Sequence, residues 1–407
     1  MSCRSVAAVG RIAAAGLVSC AAVASALQPP SPLTVTRLDP AVAARYVGGS
    51  ADRLEFPRVR AIDPATADVL ARHEAGVELD GLLTLDGPTA EALARCRTRL
   101  GLDGLRRLDP EAADALARSP AHLTLASLDG LSSPTLARKL ARQPGTLELH
   151  RIGRLEGVVA DLLATGVAGV MLPSLEHLSH RGLAERLART PPGAVHLRAL
   201  SNLDAAGAAG LSAVPCDLYL PAISRLDEPV AAQLGRHRGV LQLTGLEDVS
   251  PVVIVSLLGN EGPLGLAGLT RPGHDGGPLP TVVLEAVERH PWPLGLEAPT
   301  VPPELAEAIR RRRAAVDLHG VRRLSLALAT SLVNGGVVVS LLGIAEAEPG
   351  VARVLLTHRP KPGTGFVLPA TARASFSEEE LRALDRHRSI HFGNAFDKSL
   401  PRLGGSR

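Results

Sequence analysis

A short Leu-x-Leu element recurs along this chain at a nearly constant interval, and that interval limits what the chain can fold into. The elements begin at Leu54, Val77, Leu100, Leu123, Leu147, Val170, Val195, Leu218, Leu241, Leu264, Leu294, Val316, Val337, Phe366 and Ile390. Seven of the fourteen steps are 23 residues long, a register that chance does not hold over three hundred positions. The order inside a repeat is fixed. In the third, Leu100-Gly101-Leu102 is followed by Leu105 and Leu108, then Asp109-Pro110, then Ala113, Leu116 and Ala117. Alternation puts Leu100 and Leu102 on one side of a short strand. Asp109 before Pro110 starts a helix, because a carboxylate accepts from orphan N–H groups and proline suits the first turn. The same pair stands at Asp39-Pro40 and Asp63-Pro64, with Ser250-Pro251 as a variant. Ala113, Leu116 and Ala117, at i, i+3 and i+4, form one face of that helix.

No such strand–turn–helix unit can bury its own apolar face. Stacking solves this and predicts an α/β solenoid, with a parallel sheet on one face, short helices on the other and leucine between. Composition agrees: 45% of residues are hydrophobic but only 2% aromatic, which suits thin uniform layers. The domain reading is a signal peptide over 1–26, a linker and cap helix over 27–53, a solenoid of about fifteen repeats over 54–392, and a tail over 393–407. Leu38, Ala43, Ala44 and Tyr46 make the N-terminal cap. Phe366, Phe376, Phe392 and Phe396 gather at the other end and are expected to plug the last layer. Ser377 with Glu380 has the spacing of a capping box.

The pattern Leu-x-Leu-x-x-Leu-x-x-Leu with a short Ala/Leu helix resembles the leucine-rich-repeat superfamily. The common repeat of that superfamily has an asparagine three residues after the Leu-x-Leu pair. Here that position holds Val59, Leu82, Leu105, Leu128, Ile152, Leu175, Leu200, Ile223 and Leu246. The chain looks closer to the 23-residue type of bacterial surface proteins, which Val170-Met171-Leu172-Pro173 and Leu218-Tyr219-Leu220-Pro221 fit. The resemblance implies a right-handed horseshoe and a ligand-binding role.

The start of the chain reads as an export signal. Arg4 and Arg11 give a basic beginning, residues 12–23 are apolar, and Ala24-Ser25-Ala26 is a small-residue cleavage site. The apolar run is short of the roughly 20 residues that span a bilayer. Leu17-Val18-Ser19-Cys20 supports a rival processing, with Cys20 lipidated as a membrane anchor. Either way the chain is expected outside the cytoplasm: periplasmic, secreted or on the cell surface. Lysine occurs only at 139, 361 and 398, a bias that points to GC-rich coding and a bacterial source. Beyond the leader, Cys96 and Cys216 stand five repeats apart. At about 4.8 Å per strand that is roughly 24 Å, far beyond the ~7 Å reach of a disulfide, so both are expected unpaired.

The 44 basic and 41 acidic residues leave a net charge of +3, with no global argument for nucleic acid. No nucleophile elbow, phosphate loop or paired metal cysteines occur, so no enzyme activity and no cofactor is expected. The outward residues of the strands should align in rows. The row from Glu55 and Glu78 to His196, Tyr219, Gln242, Gly265, Gly295 and Asp317 is acidic first, mixed in the middle and plain before a charged end. A binding patch is expected at His150, Arg151, His196, Arg198 and Tyr219, the alternative being an ordinary solvated sheet face. Metal is not expected: His150 and His196 are two repeats apart, and His177 and His180 lack a completing cluster. Arg310 to Arg313 read as a solvated run complementing a helix C-terminus. Two insertions, 270–281 with His274 and Asp275 and 358–365, read as exposed loops. The partner is expected to be a protein or a cell-envelope glycan. A self-associating structural component of the cell surface is the alternative.

Overall fold

The computed structural model describes residues 31–393, apart from 167, 191–192, 248, 268–277, 298, 360 and 362. The segment read as a leader, with Cys20, most of the 270–281 insertion with His274 and Asp275, and the segment read as a tail, with Phe396, lie outside the described residues. The chain divides into two compact halves, Met1–Leu149 and His150–Arg407. Each is an α/β solenoid in which parallel strands alternate with short helices.

In the first half, β1 (Leu54–Glu55), β2 (Val77–Glu78), β3 (Arg99–Gly101) and β4 (His122–Thr124) form a parallel sheet in chain order. Leu54 faces Val77, Val77 faces Leu100 and Leu100 faces Leu123, so the 23-residue step is the strand register. Helices Pro64–Leu70, Gly87–Leu93, Pro110–Ala117 and Pro134–Arg142 follow the strands. The helix starts are built as their sequences dictate. Asp39 accepts from the Val42 N–H, Asp63 from Thr66 and Ser133 from Leu136. Asp109 departs from this, since its side chain makes no capping bond and only Pro110 and Glu111 mark the start. Ala67, Ala90 and Ala137 are completely buried, and their small side chains let each helix lie close to the leucine layer.

In the second half, nine strands run parallel in chain order. They are β5 (Ala194–His196), β6 (Asp217–Tyr219), β7 (Leu241–Leu243), β8 (Leu264–Leu266), β9 (Leu294–Leu296), β10 (Val316–Asp317), β11 (Val338–Ser340), β12 (Gly365–Pro369) and β13 (Ile390–Gly393). One repeat is in a different register from that read in the sequence. Val316 pairs with Val339, and Val339 with Phe366, so the repeat begins at Val339 and not at Val337. Both valines are buried, and period-two alternation alone does not choose between them. Gly343 does. It stands four residues after Val339, as Gly81, Gly104 and Gly245 stand four after Val77, Leu100 and Leu241. A Cβ at any of the four would lie within 2.5 Å of a backbone carbonyl oxygen of the preceding repeat.

A column of buried side chains runs four residues before the residue that opens each Leu-x-Leu element: His73, Cys96, Ser119, Gln143, His237, Asn260, His290 and Arg312. Most of them donate backward to a main-chain carbonyl. His73 Nε2 lies 2.7 Å from Asp52 O, Ser119 Oγ reaches Cys96 O at 3.4 Å, and His290 Nδ1 reaches Leu258 O at 2.8 Å. Asn260 donates to Gly239 O and Gly262 O. A ladder of buried side-chain bonds is therefore built before the strands. This also corrects the reading of the arginine run. Arg312 is 1% exposed, and its guanidinium donates to Val287 O and Trp292 O. Arg310 and Arg311 do lie outside, on Glu307. Cys96 and Cys216 are buried and unpaired. At the C-terminal end Phe366 and Phe376 are buried, and Phe376 packs edge-on against Phe392 at 6.3 Å.

Candidate functional site

The outward face of the nine-stranded sheet in the second half carries a row of chemically varied residues. Its pleat sends Val195, Leu218, Leu241, Leu264, Leu294 and Val316 into the core, so the residues between them must point outward. Pairing sets those residues in one row: His196 beside Tyr219, then Gln242, Gly265, Gly295 and Asp317.

The row begins with an aromatic stack. The His196 and Tyr219 rings lie 4.4 Å apart and 16° from parallel. Burial, and then the nearby Asp217 charge, hold the Tyr219 phenol above its ordinary range, so it stays protonated at neutral pH. Arg198 is exposed in the turn after β5. The floor then falls away. Gln242 lies over Gly265, where a Cβ would meet its Oε1 at 1.9 Å, whereas a Cβ on Gly295 would meet nothing closer than 3.7 Å. Gly295 thus leaves bare backbone beside a polar wall. On its far side, His319 Nδ1 lies 3.6 Å from Asp317 Oδ2 and its Nε2 3.9 Å from Glu297 Oε2. The Asp317 carboxylate beside the ring is the largest cause holding the His319 pKa above its usual value. The face therefore runs from an aromatic, basic end to an acidic one.

Of the five residues expected to form a patch, the sheet brings His196 and Tyr219 into contact. His150 and Arg151 are exposed but belong to a turn outside the nine strands, where the His150 carbonyl accepts from Ser174 Oγ at 2.5 Å. Gly295 and Asp317 were visible in the sequence only as members of a row. The signal for the bare floor was the repeated Leu-Gly-Leu at 264 and 294, which removes two neighbouring side chains at once. His180 is committed elsewhere: Nδ1 accepts from the Leu183 N–H and Nε2 lies 2.8 Å from Asp161. Among the described residues no group of three His, Cys, Asp or Glu is disposed to hold a metal ion. Among them also, no helix is long and apolar enough to cross a membrane.

No family model matches the sequence, and no curated protein matches it. Solved structures do. An internalin from Listeria monocytogenes is 12% identical, with 90% of this chain and 98% of that chain covered and a TM-score of 0.43. A chain of the Toll–Spatzle complex from Drosophila is 13% identical over 84% of this chain and 50% of its own, with a TM-score of 0.41. The leucine-rich repeat domain of APL1B is 13% identical over 89% of this chain and 93% of its own, with a TM-score of 0.36. What makes this chain a solenoid is its own strand register, repeat upon repeat.

Proposed function

We propose that this protein is a non-catalytic binding scaffold that works outside the cytoplasm. It holds a protein or a cell-envelope glycan against the sheet face of its second half. The observation that carries this reading is the His196–Tyr219 stack, presented in the same outward row as the open Gly295 floor, three strands away, on nine paired strands. A sheet whose backbone is already paired offers its side chains with little left to order, which favours affinity. Tyrosine and arginine are the residue types over-represented among binding hot spots. The basic-then-apolar start with Ala24-Ser25-Ala26 supports export, and Cys20 is the competing processing point.

The test is capture from the native envelope by the full chain and by a His196→Ala/Tyr219→Ala variant. Loss of about 2 kcal/mol or more, some thirtyfold in affinity, is the expected hot-spot effect. Unchanged capture by the variant rejects the site. A second reading, a self-associating surface component, draws on β13, which ends the order of its sheet. Light scattering separates the two. A mass that stays monomeric at all concentrations supports the scaffold, whereas growing linear multimers support self-association.

A further inference from the structure

The sheet of the first half stops at β4, and it stops for a visible reason. Where the main chain of another strand would pair with Leu123, the buried side-chain amide of Gln143 does so instead. Its Oε1 accepts from Leu123 N at 2.8 Å and its Nε2 donates to Leu123 O at 3.0 Å. The turn after Gln143 stands off from β4, and a cavity of about 300 Å³ lies between them. At about 30 Å³ per water, that is room for on the order of ten water-sized groups, at the small end of ligand pockets.

The walls carry donors and acceptors together. Arg99, Asp103, His122, Thr124 and Glu148 line the cavity, with Leu140 on its apolar side. His122 Nε2 lies 3.0 Å from Pro144 O. A carbonyl only accepts, so Nε2 carries the proton and Nδ1 is an acceptor, and Nδ1 is buried with no partner. Thr124 Oγ1 is also buried with no partner. Asp103 Oδ1 takes the Ala126 N–H at 2.8 Å, which leaves its second oxygen. Arg99 Nε is held on Glu78 at 3.1 Å, which leaves the two terminal nitrogens.

This lining discriminates between guests. A hydrocarbon would leave His122 Nδ1 and Thr124 Oγ1 unpaired, at a cost of about 1–3 kcal/mol per group. A cation would face Arg99, and an anion would face Asp103 and Glu148. Hydroxyl groups both donate and accept, and so answer every wall. We propose that this cavity is a binding site for a neutral polyol the size of one sugar ring. The site is independent of the sheet face of the second half and shares no residue with it.

The experiment is saturation-transfer NMR and titration of the full chain with the methyl glycosides of glucose, mannose and galactose and with N-acetylglucosamine. At least one of the four binds saturably. Thr124→Val and Asp103→Asn each weaken it about tenfold, the effect of one lost hydrogen bond, while His196→Ala leaves it unchanged. Circular dichroism melts check folding, and Glu148→Gln, at an exposed position, serves where the other two lower stability and is expected to weaken binding likewise. The proposal is overturned if no probe saturates by about 50 mM, well above the millimolar range. It is overturned equally if these variants bind as the parent does, or if methylammonium or acetate displaces the bound sugar.

Discussion

His237 Nε2 lies 2.7 Å from the carbonyl oxygen of Cys216, one repeat earlier. The bond joins successive layers through a fully buried imidazole, and His290 repeats it on Leu258. Burial lowers the pKa of both rings, that of His290 to about 4. The native state therefore keeps them neutral while the unfolded chain takes up protons below its ordinary histidine pKa of about 6.5. Stability attributable to His290 is complete above pH 6.5 and is lost as pH falls toward about 4, some 3 kcal/mol in all. Urea midpoints at several pH values should show this loss. His290→Gln keeps a donor for Leu258 and removes the titration, so its stability should fall less steeply over the same window. Equal slopes for parent and variant would show that the ring does not titrate as described.

The same layering silences the thiols. Cys96 and Cys216 are buried, and burial pushes their pKa values up to about 12 and about 11. Thiolate is the reactive species, and little of it exists at neutral pH. Alkylation by iodoacetamide should leave both untouched in the native chain and modify both in urea. Prompt labelling of either under native conditions would contradict the burial.

Much of this was legible because the repeat writes its register into the chain. Leu54, Val77, Leu100 and Leu123 stand 23 residues apart and pair as neighbours, and alternation fixes which side chains point inward. The polar column was not legible. His73, Cys96, Ser119, Gln143, His237, Asn260, His290 and Arg312 share a position but not a residue type, and what all but Cys96 have in common is a main-chain carbonyl that accepts from the side chain. Reading four arginines as a solvated run failed at Arg312 for the same reason, since periodicity reports burial of leucine and not of a guanidinium. The row on the sheet face could be written out residue by residue, yet the His196–Tyr219 stack depends on rotamers that no spacing specifies.

Arg312 should be the costly arginine of its run. Its guanidinium donates to Val287 O and Trp292 O, and burial lowers its pKa to about 10, so it stays charged at neutral pH. Arg312→Met leaves one buried and one part-buried carbonyl without their donor and is expected to cost about 2–4 kcal/mol. Arg311→Ala, which removes an exposed partner of Glu307, should cost under about 1 kcal/mol. Chemical denaturation of the two variants checks the order, and a reversed order would mean that the buried cation is a burden its bonds do not offset.

Gly343 tests the repeat that the sequence placed two residues early. Counted from Val337 it occupies the seventh place of its repeat and needs no small side chain. Counted from Val339 it is the fifth, the place of Gly81, Gly104 and Gly245, where the main chain crosses close over the preceding repeat. A Cβ there would stand 1.7 Å from His319 O and 2.5 Å from its carbonyl carbon. Backbone cannot turn aside as a side-chain tip can, so Gly343→Ala should force neighbouring layers apart, at about 1–3 kcal/mol or more. Gly48 is the control. It lies near the end of helix Pro40–Gly49, where an added Cβ would meet nothing within 4 Å, so Gly48→Ala should stabilise by up to about 1 kcal/mol through helix propensity alone. Thermal melts of both variants decide the matter: a harmless alanine at 343 would return the repeat to Val337 and undo the pairing of Val316 with Val339.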